Sequence, residues 1–205
     1  ATASSVDVYA DLTLARAKLD AEVAASPDNP DIRLRYAEVM FVAGREDVAL
    51  AKLDEAVSLL GGLEAMRSGP ARHRLFYTAL RYAEQMATRR DEFSANLANQ
   101  LYDRAAAAAE TPSQQVQYRL SRAQFADAQG DRLRVAELYQ QILDDPQLRL
   151  VTISDPRFGG ATQAAAAAEQ EIASLIRRAG RGAYAKFDEL ARQGVAAAGN
   201  DPQAL

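Results

Sequence analysis

The sequence predicts an all-α fold built from stacked helical hairpins, on three observations. Strong helix formers (alanine, leucine, arginine, glutamine and glutamate) dominate the chain, and runs of β-branched residues are scarce. The segment Ala15-x-Ala17-Lys18-Leu19-Asp20-x-x-Val23 returns thirty-four residues later as Ala49-x-Ala51-Lys52-Leu53-Asp54-x-x-Val57. A fixed period of that length marks a helix–turn–helix unit that buries its apolar face only by stacking on its neighbours. Glycine and proline then punctuate the helical runs where hairpin turns are needed.

The first helix spans about Val6 to Ala25, with Leu12, Ala15, Leu19 and Val23 on one face at i, i+3/i+4 spacing. Ser26-Pro27-Asp28-Asn29-Pro30 stops it, and Pro30 can open the next helix, about Asp31 to Ala43. Gly44 suits the left-handed residue after a helix end. A third helix runs from about Glu46 to Leu60 and stops at Gly61-Gly62. Ser68-Gly69-Pro70 opens a longer helix to about Thr88, and a turn at Arg89-Arg90-Asp91 leads into another, about Glu92 to Glu110. Thr111-Pro112 with Gln115 reads as the cap, first-turn proline and reciprocating glutamine of a helix reaching Gln129. Gly130-Asp131 turns the chain into a helix from about Leu133 to Leu143, which Asp145-Pro146 ends. Leu148-Arg149-Leu150-Val151-Thr152-Ile153 reads as a short extended stretch in an ordered loop over 147–160. Two further helices, about Thr162 to Ala179 and Ala183 to Ala198, flank Gly180-Arg181-Gly182, and the tail from Gly199 is expected to fray.

That makes nine helices, one leading and eight in four hairpins, in a single domain over 1–205. The repeats are clearer up to residue 146, the segment 147–160 is irregular, and 161–198 form a C-terminal helical hairpin. Strict register holds only through the first two units; the later hairpins are stretched.

Composition narrows the function classes. A net charge of −4 and a pI near 5.2 argue against a general nucleic-acid or membrane-surface binder. There is no cysteine, so thiolate catalysis and cysteine-ligated zinc are excluded. No run of eighteen apolar residues exists, so no membrane insertion is expected. The chain also lacks the charged and apolar regions of a signal peptide. Lysine stands only at positions 18, 52 and 186; the arginine bias and abundant alanine suit a GC-rich bacterial genome.

With Gly44 at the turn, Tyr36, Ala37 and Met40 fall at inner-helix packing sites and Ala49, Leu53 and Ala56 at outer-helix sites. In this respect Pro30 to Leu60 resembles a tetratricopeptide repeat. Gln117 to Pro146 resembles a second copy, with Ala123, Gly130, Val135 and Tyr139 at matching places. It departs from the pattern where Val135 and Ile142 replace smaller residues and where Pro146 comes one position early. The resemblance implies a right-handed α-α superhelix, a solenoid whose concave groove binds a protein or peptide without a cofactor or metal. Carried onto this chain, the groove candidates are Asp31, Arg35, Glu38, Val42, Gln117, Gln124 and Asp127, against the plainer reading that each lies on a solvated helix face. Chaperone-binding members clamp a terminal carboxylate with lysine and asparagine. Here those places hold Leu34 and Glu38 in one repeat and Leu120 and Gln124 in the other, which cannot neutralise a carboxylate. The charge swap Arg35→Glu with Glu38→Arg is therefore expected to weaken a partner without unfolding the chain.

Ala136-Glu137-Leu138-Tyr139-Gln140-Gln141-Ile142-Leu143, with Leu175-Ile176-Arg177-Arg178 and Ala183-Tyr184-Ala185-x-Phe187, is similar to the helical-repeat regions of large bacterial envelope proteins that also carry a quinoprotein-like β-propeller. That likeness implies a structural spacer or self-association module, and favours periplasm or envelope over cytoplasm. No propeller strands occur in the sequence.

Other constellations read as structure. Arg67, Arg72, Arg74, Arg81, Arg89 and Arg90 gather on one hairpin. They could hold an anion, but pairing with acids of the next helix, such as Asp91, Glu92 and Asp103, is the simpler expectation. His73 is the single histidine and has no catalytic or metal-binding partner pattern. Gly159-Gly160 and Gly180-Arg181-Gly182 are turn punctuation without a phosphate-loop lysine. Phe76, Tyr77, Tyr82 and Met86, with Tyr118, Phe125, Tyr139, Tyr184 and Phe187, are core candidates. The hexamers Ala105–Glu110 and Ala164–Glu169 are identical; they are simple helix or a second close-packing surface. Without a nucleophile–base pair, no enzymatic role is expected.

Overall fold

A computed structural model describes residues 5–198, with side chains from 11 onward except those of 183, 190, 191 and 194–198. The tail from Gly199 lies outside the described residues. The chain is all-α apart from one small β-hairpin. It divides into two compact units, Ala1–Glu110 and Thr111–Leu205.

The first unit contains α1 (Ser5–Ala25), α2 (Pro30–Val42), α3 (Glu46–Leu59), α4 (Pro70–Ala87) and α5 (Glu92–Ala108). Local chemistry sets most of these boundaries. The Asn29 side chain accepts from the Asp31 N–H at 3.0 Å, and Pro30 takes the first helical position, where its missing N–H costs nothing. Asp91 caps α5 by accepting from the Ser94 N–H at 2.8 Å. Gly44 turns α2 into α3 with φ +68°, a conformation that a side chain would strain.

Helix α2 packs antiparallel on α3, α4 packs on α5, and α2 also meets α4. The repeat positions read from sequence are all internal. Ala37, Ala49, Leu53 and Ala56 are completely buried, Tyr36 and Met40 nearly so. Alanine at the closest approaches lets the backbones come together, and leucine fills the gaps between them. Phe41 stacks on Tyr82 with ring centroids 4.0 Å apart, tying α2 to α4. Tyr77 departs from the core expectation: it is 42% exposed and packs its ring on His73 at 4.8 Å. Phe76, Tyr82 and Met86 are buried.

The second unit contains α6 (Pro112–Ala128), α7 (Arg132–Asp144), α8 (Pro146–Arg149), β1 (Thr152–Asp155), β2 (Gly160–Gln163), α9 (Ala164–Ala179) and α10 (Ala185–Ala198), with a 3₁₀ turn over Arg181–Tyr184. A reciprocal capping box opens α6, but its glutamine is Gln114, not Gln115. With Thr111 as cap, Gln114 is the third helical residue, the only one from which the side chain reaches back to the cap N–H.

The segment 147–160 is more ordered than a loop. Asp145-Pro146 ends α7 and also starts the single turn α8, since Asp145 accepts from the Gln147 N–H at 2.8 Å. Leu148 is thereby driven into the core. Of the expected extended stretch 148–153 only Thr152 and Ile153 are strand, Leu148 and Arg149 being helical; β1 pairs antiparallel with Gly160–Gln163, placing Ile153 opposite Thr162. Residues 160–163 are consequently strand, and α9 begins at Ala164 instead of Thr162. These added elements raise the number of α-helices among the described residues to ten.

The core of this unit lies between α6, α7 and α9, where Val116, Ala123, Val135, Ala136, Leu138 and Ile142 meet Ala164, Ala168, Ile172 and Leu175. The alanine hexamers face inward. Ala105, Ala108, Ala164 and Ala168 are completely buried and Ala167 is nearly so, while Ala106 and Ala166 are the exposed alanines. No helix of the described residues is long and apolar enough to cross a membrane.

Candidate functional site

In the first unit, four candidates sit on α2, and the structure gives them different tasks. Glu38 is half-buried against α4. Its carboxylate accepts from Arg74 Nη2 at 2.8 Å, Arg74 Nε at 3.3 Å and the Thr78 hydroxyl at 2.8 Å. Burial alone would raise its pKa, but the Arg74 and Thr78 hydrogen bonds and the nearby Arg74 and Arg81 charges outweigh it and hold the value below the ordinary range. Arg74 is raised in turn, chiefly by its bond to Glu38. Glu38 therefore ties α2 to α4. Exchanging it for arginine would set two guanidinium groups together, so the charge swap Arg35→Glu with Glu38→Arg is not neutral to folding. Arg35 is exposed and ion-paired with Glu22 of α1. Leu34 is completely buried. Asp31 is half-exposed at the start of α2, and Val42 is 83% exposed at its end.

The arginines of α4 are engaged, but not by Asp91, Glu92 or Asp103. Arg72 donates to the carbonyls of Met66 at 2.7 Å, Ala107 at 3.1 Å and Ala108 at 3.2 Å, so it satisfies the open C-terminal end of α5. Arg89 pairs with Glu46 at 3.1 Å. Arg67 donates to the Leu59 carbonyl, and Arg81 to the Tyr82 hydroxyl at 2.9 Å. One pair of the expected kind forms, Arg72 with Glu110 just past α5 at 3.9 Å; the other partners come from the preceding hairpin and from helix-end carbonyls, because α4 packs on α2 as well as on α5.

In the second unit the candidates lie on α6. Gln117 is exposed near the start of the helix, and Gln124, also exposed, and the half-buried Asp127 each meet an arginine of a later element. With its amide oxygen oriented toward Arg157, Gln124 accepts from both Nη1 and Nη2 at 2.6 Å. Arg157, at the tip of the β-hairpin, also grips Asp155, with Nε at 3.0 and 3.1 Å from the two carboxylate oxygens. That pairing lowers the pKa of Asp155 and raises that of Arg157. Asp127 accepts from Arg178 of α9 at 2.9 Å, which raises the arginine further. The buried Tyr139 lies within the field of Arg157, Asp127 and Arg178. Its pKa is raised by burial first, then by Glu171 and Asp127 against the opposing arginines.

Beside the Asp127–Arg178 pair is a cavity of about 190 Å³ lined by Asp127, Gly130, Arg132, Leu175, Arg178 and Ala179. Leu175 is almost wholly buried beneath it and Ala179 is half-exposed, while Gly130 and the three charged side chains complete the lining. Sequence reasoning reached Asp127 and Gln124 but missed Arg132, Arg157, Leu175 and Arg178. Only Arg178 carried a local signal, as a cation in the last turn of a helix. Such a surface can bind reversibly through ion pairs, hydrogen bonds and one apolar contact. Among the described residues no group of three or more His, Cys, Asp or Glu is arranged to hold a metal ion.

No protein-family model, curated protein or solved structure matches the chain.

Proposed function

We propose that this chain is a protein-interaction scaffold, a hairpin stack of the right-handed tetratricopeptide-like kind, and that it binds a peptide or a neighbouring domain. The observation that carries the reading is the Asp127–Arg178 pair beside the 190 Å³ cavity, where charged groups border the half-exposed Ala179. Concave sites with apolar walls and a few placed polar groups are the usual geometry of ligand recognition. The internal thirty-four-residue register and the buried repeat positions Ala37, Leu53 and Ala56 support the hairpin-stack part of the reading.

Selection of a random dodecamer library on the full 205-residue chain tests this. Selected peptides are expected to shift the backbone amide resonances of Asp127, Leu175 and Arg178 on titration. A library that yields no binder, or peptides whose shifts fall only within residues 5–110, overturns the proposal.

A further inference from the structure

The thirty-four-residue register makes α1 the counterpart of α3, and the two helices are alike on one side. Their matching aspartates each bond to a later helix. Asp20 accepts from the Tyr36 hydroxyl of α2 at 2.9 Å, and Asp54 accepts from Arg104 Nε of α5 at 2.8 Å. They differ on another face. There α3 meets α2 of its own hairpin, with the Lys52 ammonium 5.2 Å from the centre of the Tyr36 ring and Glu55 paired with Arg33 at 2.7 Å. Among the described residues α1 packs chiefly on α2, the helix that follows it. Its Leu14, Lys18 and Ala21 share a face at i, i+4 and i+7 and stand at the places of Val48, Lys52 and Glu55. Those three α3 residues are half-buried, whereas Lys18 and Ala21 are exposed and Leu14 is 72% exposed. Ala15 and Val23 are likewise half-covered where Ala49 and Val57 are buried. A repeat unit buries its apolar side only through a neighbour, so α1 leaves uncovered the face that α3 covers with α2.

We infer that this face of α1 docks an amphipathic helix of a partner protein that carries the α2 pattern: an aromatic residue against Lys18, alanine next to it, a large apolar residue three further on, and a neutral residue at the place of Arg33. The first three features are those of Tyr36, Ala37 and Met40, all buried in the first unit. The fourth follows from Ala21. With no carboxylate there, an arginine in the docked helix would be buried without the partner that Glu55 gives Arg33. Apolar cover on Leu14 and a cation beside an aromatic ring supply the attraction. The inference rests on the hairpin-stack part of the reading above, and it concerns α1, not the cavity beside Asp127.

Two synthetic peptides with the sequence of residues 28–44, one unaltered and one carrying Arg33→Ala, titrated into the full 205-residue chain, test it. The Arg33→Ala peptide is expected to bind about ten-fold more tightly than the unaltered one and to shift the amide resonances of Leu14, Lys18 and Ala21. Leu14→Glu in the protein should weaken that peptide about ten-fold. Circular dichroism and thermal unfolding should not change, because the Leu14 side chain is mostly in solvent. Ala21→Glu restores the acid of the α3 register and should reverse the preference, so that the unaltered peptide binds more tightly. A preference that Ala21→Glu leaves as it was, undiminished binding to Leu14→Glu, shifts confined to residues outside α1, or no binding of either peptide overturns the inference. So does a dimer in sedimentation that Leu14→Glu dissociates, since a second copy of the chain would then be what covers the face. None of these outcomes alters the dodecamer result at Asp127, Leu175 and Arg178, and a failed dodecamer selection leaves binding at α1 standing.

Discussion

Glu38 of α2 and Arg74 of α4 meet side chain to side chain, Oε2 to Nη2 at 2.8 Å and Oε1 to Nε at 3.3 Å, across thirty-six residues of sequence. Thr78 adds a third bond to the same carboxylate. The pair is half-buried, so its worth lies between that of a surface ion pair and that of a buried charged hydrogen bond. Glu38→Ala and Arg74→Ala are each expected to destabilise the chain by about 1–2 kcal/mol, with a coupling energy of about 1 kcal/mol. Urea unfolding of the two single variants and the double variant measures this. Strict additivity would mean that the contact contributes nothing.

The same carboxylate sets a pH dependence. Its folded pKa lies below its ordinary value of 4.5, so the unfolded chain takes up a proton more readily. The contribution of Glu38 is complete above that ordinary value and is lost as pH falls through the lower folded value. Stability of the wild type should thus drop on acidification below about pH 4.5 more steeply than that of Glu38→Gln. Urea midpoints from pH 7 down to pH 3 check this; parallel curves would show that Glu38 is not a linked group.

Arg72 bonds three carbonyls from two places in the chain, and only a planar fork with several donors can do so. Arg72→Met is expected to cost about 2 kcal/mol, and Arg72→Lys should recover less than half of it. Recovery of full stability by lysine, read from thermal unfolding, would show that charge and not geometry is what α5 requires.

Leu53 and Leu19 hold the same place in the internal repeat, yet their surroundings differ. Leu53 is completely buried under α2, whereas Leu19 is 7% exposed on a helix whose Leu12, Ala15 and Val23 are only half-covered. Leu53→Ala is expected to cost about 3–4 kcal/mol and Leu19→Ala about 2 kcal/mol, because the looser site collapses more readily. Equal losses in denaturant unfolding would mean that α1 is held as firmly as α3.

This contrast also shows how far sequence reading reached. Nine helix assignments fell within a few residues of the structure because each end is a local event. Asn29-Pro30, Gly44, Thr111-Pro112 and Gly130 act on the backbone within one turn of themselves. The thirty-four-residue register identified Leu53 and Ala56 as internal for the same reason, since helical period and burial go together. The β-hairpin was missed because neither strand is stable alone: Thr152–Asp155 is defined by its pairing with Gly160–Gln163.

Side-chain partnership belongs to a different level. The acidic Glu38 and the basic Arg74 were both visible as charges, and each was assigned elsewhere, one to a groove and one to pairing with the next helix. Nothing local distinguishes a carboxylate that faces solvent from one that faces a helix thirty-six residues away. Likewise Asp127 was legible as a polar position on α6, but the cavity beside it needed α9 to bring Leu175, Arg178 and Ala179, and the start of α7 to bring Arg132. Backbone propensity and period act over one or two turns, so the chain alone settles the helices and their inward faces. Which helix covers which face is settled only by packing, and the charged pairs between helices, such as Glu38–Arg74 and Asp127–Arg178, and the cavity itself follow from that choice.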